Sequence, residues 1–269
     1  MMPYRLFGID RPLIMAHRGD SANFPENTMA SMESAVKIGV DVLETDVHLT
    51  KDGEFVLFHD EDIQRTTGEQ GTIRDRTLEE LRQIDLGETF TIDGESFPFS
   101  GKGLRVLTLR EVFKAFPQMR FNIDMKDMLP EVPRTLERLL REEGMGQSVV
   151  VASFHPTQAQ RFHEIAPDIA MAANPSQVKR FVIGLKLRML PLLARNAPFA
   201  AFQVPTQSGS TKVVDRRFIE AAHRRGIAVH VWTINERKEM ELLLEQGVDG
   251  IFTDKPGLLR EVMIDRGLL

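Results

Sequence analysis

LIMAHRGDSANFPENTMASMESAVKIGVDVLETDVHLTKDGEFVLFHD, residues 13–60, decides the fold. An apolar run at 13–16 ends in HRGD and predicts a buried strand followed by a loop. Pro25-Glu26-Asn27-Thr28 then opens a helix over 28–38, with Asn27 as its N-cap and Gly39 as its stop. A second strand is expected at 40–49. Lys51-Asp52-Gly53 makes a turn, and a third strand follows at 54–58. Strand, helix and strand in that order predict parallel pairing with a right-handed crossover.

The same stretch holds His17, Arg18, Glu44, Asp46 and His59. Two histidines can carry protons near neutral pH. Carboxylates at i and i+2 of a strand share a face and can hold a hard cation. An arginine can fork onto a phosphate. Together these side chains suit metal-assisted cleavage of a phosphate ester.

Outward from this stretch, 61–106 is rich in charge and glycine, with one amphipathic helix at 77–84, and reads as an excursion within a single domain of residues 1–269. Regular alternation resumes after it. Helices are expected at 109–116, 131–143, 156–165, 216–225, 236–246 and 258–263. Strands are expected at 120–125, 148–152, 169–172, 199–204, 227–232 and 248–252. Nine strand candidates are one more than an eight-stranded (β/α) barrel needs. An open doubly wound sheet is the alternative, but no GxGxxG turn follows the first strand. In a barrel, reactive groups gather at the C-terminal ends of strands. His17, Asp46, His59, Asp124, Lys126, Ser153, Gln203, Trp232 and Asp254 all fall at such ends.

Composition narrows the function. With 34 basic and 39 acidic residues the net charge is −5, which argues against a surface that tracks nucleic acid. The chain has no cysteine, so disulfides, zinc–thiolate sites and cysteine nucleophiles are excluded. MMPYRLFGIDRPLIMAHRG shows no apolar leader and no long apolar run follows, so the expected location is cytoplasmic.

Glu44, Asp46 and Asp124 lie in apolar flanks that predict buried strands. Buried carboxylates without a cation repel one another and are costly to desolvate. Mg²⁺ or Ca²⁺ would relieve that, and an all-oxygen set argues against zinc. Arg18 and Lys126 are candidate phosphate contacts, with salt bridges to Glu44 or Asp124 as the plain alternative. His48 shares the parity of Asp46 and is a weaker ligand candidate. His155 is a candidate for the pocket wall, whereas His163, His223 and His230 read as surface or packing residues. Trp232, the only tryptophan, either covers the substrate or packs. The segment KRFVIGLKLRMLPLLAR, from Lys179 to Arg195, is apolar and basic. It reads as a cover for the barrel, or as a lip that makes transient contact with an anionic membrane.

An ordered set of motifs carries a resemblance across nearly the whole chain: HRGDSANFPENT (17–28), LETDVHLTKDGEFVLFHD (43–60), RTTGEQGTI (65–73), LTLREV (107–112), FNIDMKD (121–127), SFHP (153–156), HRRGIAVHVWTIN (223–235) and GVDGIFTDKP (247–256). The chain resembles the glycerophosphodiester phosphodiesterase family. That resemblance implies a TIM-like (β/α)8 barrel with a small insertion, 61–106, after the third strand. It implies hydrolysis of glycerophosphodiesters to sn-glycerol 3-phosphate and an alcohol, with a neighbouring glycerol hydroxyl attacking to give a cyclic phosphate that water opens. The catalytic pair would be His17 and His59, the ligands of one divalent cation Glu44, Asp46 and Asp124, and the phosphate contacts Arg18 and Lys126. Two positions depart from the common pattern: Asp124 stands where many members carry Glu, and Leu107 where proline is common. The C-terminal half is similar to the branch with lysophospholipase-D-like members, so a lysophospholipid is the alternative substrate. A non-catalytic phosphate-binding protein would have lost histidines or carboxylates, and none is lost.

Overall fold

The computed structural model describes residues 6–190, 198–209 and 211–269. The beginning of the stretch read for a leader (1–5) and the end of the 179–195 segment lie outside the described residues. In chain order the strands are β1 Leu13–His17, β2 Val42–Leu49, β3 Phe55–Leu57, β4 Arg120–Met125, β5 Val149–Ala152, β6 Ala170–Met171, β7 Ala201–Val204, β8 Gln207–Ser208, β9 Thr211–Lys212, β10 Ala228–Val231 and β11 Gly250–Thr253. The helices are α1 Met29–Ile38, α2 Gln64–Thr67, α3 Leu78–Leu81, α4 Leu109–Ala115, α5 Val132–Glu142, α6 Pro156–Ile165, α7 Pro175–Lys186, α8 Arg216–His223, α9 Arg237–Gln246 and α10 Pro256–Asp265.

Eight strands run parallel in the order β6-β5-β4-β2-β1-β11-β10-β7. A single parallel bridge, Ala172 to Ala201, joins the two ends of that order. Two backbone hydrogen bonds of 2.8 Å, Ala200 N–H to Met171 C=O and Ala173 N–H to Ala201 C=O, reinforce it. The sheet is therefore a nearly closed barrel. β3 is antiparallel to β2 at its C-terminal end and lies off the ring. Between β3 and β4, Ile63, Ile73, Leu81, Ile84 and Leu86 form a separate apolar cluster against Val56 and Phe58. The short β8–β9 ribbon was not foreseen from its polar sequence.

Strand pleat explains the burial pattern. All eight residues of β2 are buried because both of its faces are covered. Leu43 and Val47 pack in the main core with helix residues. The other parity carries Val42, which packs with Leu13, Met15 and Phe252, and then Glu44 and Asp46. One face of β2 is thus apolar toward its N-terminal end and acidic toward its C-terminal end.

Close approach favours glycine at several positions, two of them near the barrel strands β1 and β11. A Cβ on Gly19, whose φ is +85°, would stand 2.5 Å from Ser31 Oγ, so the turn after β1 lies directly on α1. A Cβ on Gly250 would stand 3.0 Å from both His230 Cδ2 and Met15 Sδ. One expectation is corrected at α1. The N-cap is Thr28, not Asn27: Thr28 Oγ1 accepts the Ser31 N–H and Ser31 Oγ accepts the Thr28 N–H. Asn27 instead takes φ +57° and its Oδ1 accepts the Thr45 hydroxyl at 2.8 Å.

His230 is fully buried in the barrel, and neither ring nitrogen has a partner among the described residues. Burial holds its pKa down to about 4, with Asp249 opposing. A neutral buried histidine stabilises the fold above its unfolded pKa of 6.5, and that contribution is lost as pH falls from 6.5 through about 4. The expected loss is about 3 kcal/mol. His230→Leu should flatten this slope when urea midpoints are measured at about pH 7.5 and about pH 4.5. Parallel pH curves for the two proteins would refute the assignment.

Candidate active site

The ends of the strands and the loops that follow them place every expected site residue. His17 closes β1 and Arg18 follows it. Glu44 and Asp46 lie on β2, and His59 stands two residues past β3. Asp124 is on β4 with Lys126 just beyond, and Trp232 follows β10. All of them line one cavity of about 780 Å³. Parallel register sets His17 beside Glu44 and Asp46 beside Asp124. Trp232 meets Phe154 edge-on at 5.8 Å, and Lys126 Nζ lies 5.6 Å from the Phe154 ring centre. Ser153 and Phe154 line the cavity, whereas His155, the N-cap residue of α6, is not among its lining residues.

The two cations are braced by the carboxylates. Lys126 Nζ is 2.8 Å from Asp46 Oδ1 and 2.6 Å from Asp124 Oδ2. Burial opposes its charge, but Asp124 and then Asp46 outweigh that and hold the ammonium well above its ordinary pKa. Arg18 donates its backbone N–H to Glu44 Oε2 (3.0 Å) and its Nη1 to Glu26 Oε1 (3.1 Å). Its Nε is 3.0 Å from Asp46 Oδ2, in contact but without hydrogen-bond alignment. Of the salt bridges read as the alternative to phosphate binding, Lys126–Asp124 is present, whereas the Arg18 side chain pairs with Glu26 and Asp46 rather than with Glu44.

The three carboxylates respond differently. Burial, and then the charge of Asp46, push Glu44 up to about 7. Burial also pushes Asp46 up, but Lys126 and Arg18 reverse this and hold it low. Asp124 is raised, chiefly by burial, against the pull of Lys126. As the side chains lie, no three His, Asp or Glu groups converge as a chelating cluster among the described residues. Lys126 reaches between Asp46 and Asp124 instead. The donor set still suits a hard cation. It is all oxygen, it sits on neighbouring strands, and Asp46 Oδ2 and Asp124 Oδ1 are buried without a hydrogen-bond partner among the described residues.

Both histidines are oriented by carboxylates that sequence reasoning did not assign. His17 Nδ1 is 2.6 Å from Asp254 Oδ1, and Asp254 is held by Asn235 Nδ2 at 2.6 Å and Ser21 Oγ at 3.0 Å. His59 Nδ1 is 2.6 Å from Asp60 Oδ1, and Arg65 Nε donates to Asp60 Oδ2 at 2.5 Å. Both contacts are made through Nδ1, so Nε2 is the nitrogen left for substrate. Burial works against the His17 imidazolium, but Glu44 and the Asp254 hydrogen bond outweigh it and raise its pKa. His48 proves to be a support rather than a ligand. Its Nδ1 is 2.8 Å from Asp127 Oδ1 and its Nε2 3.2 Å from the His59 carbonyl.

An amide in place of either orienting carboxylate can present N–H to Nδ1 and favour the wrong tautomer. Asp254→Asn and Asp60→Asn should each lower kcat by about 10²-fold or more with KM little changed. Unchanged kcat in steady-state assays would leave these carboxylates a purely structural role.

Fold and site together define a phosphoric diester hydrolase built on an eight-stranded barrel. A family model described as the glycerophosphoryl diester phosphodiesterase family matches residues 17–258, and the chain belongs to that family. A glycerophosphodiester phosphodiesterase of Caldanaerobacter subterraneus is 33% identical over 256 residues, spanning 93% of this chain and 96% of that one. Human lysophospholipase D is 29% identical over 269 residues, spanning 93% and 85%. A solved phosphodiesterase of Oleispira antarctica, in complex with its product sn-glycerol-3-phosphate, is 27% identical with a TM-score of 0.74, covering 94% of this chain and 97% of that one.

Proposed function

We propose that this chain hydrolyses glycerophosphodiesters to sn-glycerol 3-phosphate and an alcohol. One observation carries the reading: two carboxylate-oriented histidines, two cations and three buried carboxylates line a single cavity. Arg18 and Lys126 bind the phosphodiester and offset the charge that grows on its oxygens in the transition state. One imidazole takes the proton of the attacking hydroxyl and the other gives a proton to the departing alkoxide. Glu44, Asp46 and Asp124 would hold a divalent cation, Mg²⁺ or Ca²⁺, which supplies Lewis-acid polarisation of phosphate oxygen. Trp232 and Phe154 offer an apolar wall to the glycerol arm. Residues 61–106 are an insertion within one catalytic domain.

Phosphorus NMR of products tests this reading. Glycerophosphoethanolamine should yield glycerol 3-phosphate in the presence of Mg²⁺ or Ca²⁺. No cleavage of any glycerophosphodiester would overturn it.

A second reading, lysophospholipid cleavage at a membrane surface, is favoured by α7. Val178, Val182 and Ile183 line the cavity together with Lys179 and Lys186. Leu187 is 61% exposed and Phe154 53%. Residues 175–190 contain no acidic side chain, in a chain of net charge −5. No helix among the described residues is long and apolar enough to cross a membrane, so the contact would be superficial. Each of Lys179→Glu and Lys186→Glu should weaken cleavage of lysophosphatidylcholine on anionic vesicles by about fivefold or more, since a basic side chain near such a surface contributes about 1 kcal/mol. Equal losses with a water-soluble diester would remove the membrane reading.

A further inference from the structure

Gln203 is a strand-end residue that the phosphate chemistry leaves unused. It lies on β7, half-buried, and lines the large cavity. Its Nε2 donates to Asn122 Oδ1 on β4 at 2.6 Å. Two strands, β5 and β6, separate β4 from β7 around the ring, so this bond crosses the barrel interior. It satisfies one atom of each amide. Gln203 Oε1 receives no hydrogen bond among the described residues and is not one of the atoms buried without a partner, so it is open to the cavity.

The pair sits directly under the reacting groups. Asn122 lies between Glu44 and Val150 in register, two residues before Asp124 on β4. Residues i and i+2 of a strand share a face and stand roughly 6.5 Å apart, so the two amides form a floor one layer below the phosphate contacts. Asn122 fixes the Gln203 amide by its nitrogen, which leaves the carbonyl as the free atom of that floor. An uncharged acceptor there calls for a donor on the guest and does not repel a phosphodiester.

A glycerophosphodiester offers one such donor at the right depth. The hydroxyl that attacks phosphorus stays between the histidines, and the departing alcohol leaves by the mouth of the cavity. The terminal hydroxyl, at the far end of the three-carbon glycerol chain, is left to reach the floor. We propose that Gln203, held by Asn122, accepts a hydrogen bond from this terminal hydroxyl and selects diesters in which it is free. An acyl or alkyl group on that oxygen removes the donor. The proposal rests on the diesterase reading above.

The test compares kcat/KM for glycerophosphoethanolamine with that for its analogue built on propane-1,2-diol, which keeps the attacking hydroxyl and lacks the terminal one. The wild-type chain should prefer the glycerol diester by about tenfold, the worth of one hydrogen bond. Gln203→Met, close to glutamine in volume but without the acceptor, should bring the ratio near one. Both substrates meet the same protein, so any misfolded fraction cancels from the ratio. A wild-type chain without preference, or a ratio unmoved in Gln203→Met, would leave the amide pair a packing contact and overturn the proposal while the diesterase reading stands. Cleavage of neither diester would overturn both.

Discussion

Replacing either His17 or His59 by alanine is expected to cut kcat by roughly 10²- to 10⁴-fold while leaving KM and thermal unfolding nearly unchanged. The size follows from the chemistry. A phosphodiester resists attack unless the nucleophile loses its proton and the alkoxide gains one, and in the proposed mechanism each histidine would serve one of those transfers. The selectivity for kcat follows from the site. In the proposed mechanism Arg18 and Lys126 would hold the phosphate independently of either imidazole, and their own braces are Glu26, Asp46 and Asp124. The fold survives because the partners left behind stay satisfied. Asp254 keeps Asn235 and Ser21, and Asp60 keeps Arg65. Steady-state kinetics beside a melting curve decide the matter, and added imidazole should restore part of the lost rate. Full activity in either variant would sink the acid–base assignment.

Much of this arrangement was legible because it is local. The bounds expected for β4 and α6, 120–125 and 156–165, are those observed, since each has a clear period and a clear stop. Glu44 and Asp46 were visible because i, i+2 spacing fixes a common face on any strand. What escaped depends on distance along the chain. Asp254 serves a histidine 237 residues away, and nothing in FTDKP distinguishes it from an ordinary strand-end aspartate. Asp60 is adjacent to His59 in FHD, a local signal to which the sequence reading gave no role. His48 reads as a ligand by parity, yet parity does not reveal that Asp127 and the His59 carbonyl engage both its nitrogens. Asn27 misleads for a similar reason. Its side chain is a good cap in isolation, but Thr45 on β2 competes for it and Thr28 takes the cap. Arg65 lies in the 61–106 segment that the sequence left without a role. It ties Asp60 to Glu26, and Glu26 to Arg18, so the segment braces both ends of the site.

Chelation should lower turnover by about 10³-fold or more, with Mg²⁺ or Ca²⁺ restoring it, because Lewis-acid stabilisation of the phosphate supplies several kcal/mol. The decisive measurement need not involve substrate. A ligand that binds only the folded state raises stability by about 2.7 kcal/mol at a hundredfold excess over its Kd. Saturating cation should therefore lift the unfolding midpoint of the wild-type chain, and Asp124→Asn should abolish the lift, since one of the orphaned oxygens belongs to that carboxylate. Lys126 makes the stronger test. Its ammonium lies 2.8 Å from Asp46 Oδ1 and 2.6 Å from Asp124 Oδ2, so lysine and cation would compete for the charge of the same two carboxylates. Lys126→Met should then bind the cation more tightly than wild type and yet turn over more slowly, because the charge proposed to face the phosphate is gone. A structural salt bridge with no ion nearby predicts the opposite pair of results: no cation response in either protein, and a loss of stability in Lys126→Met that no metal repairs.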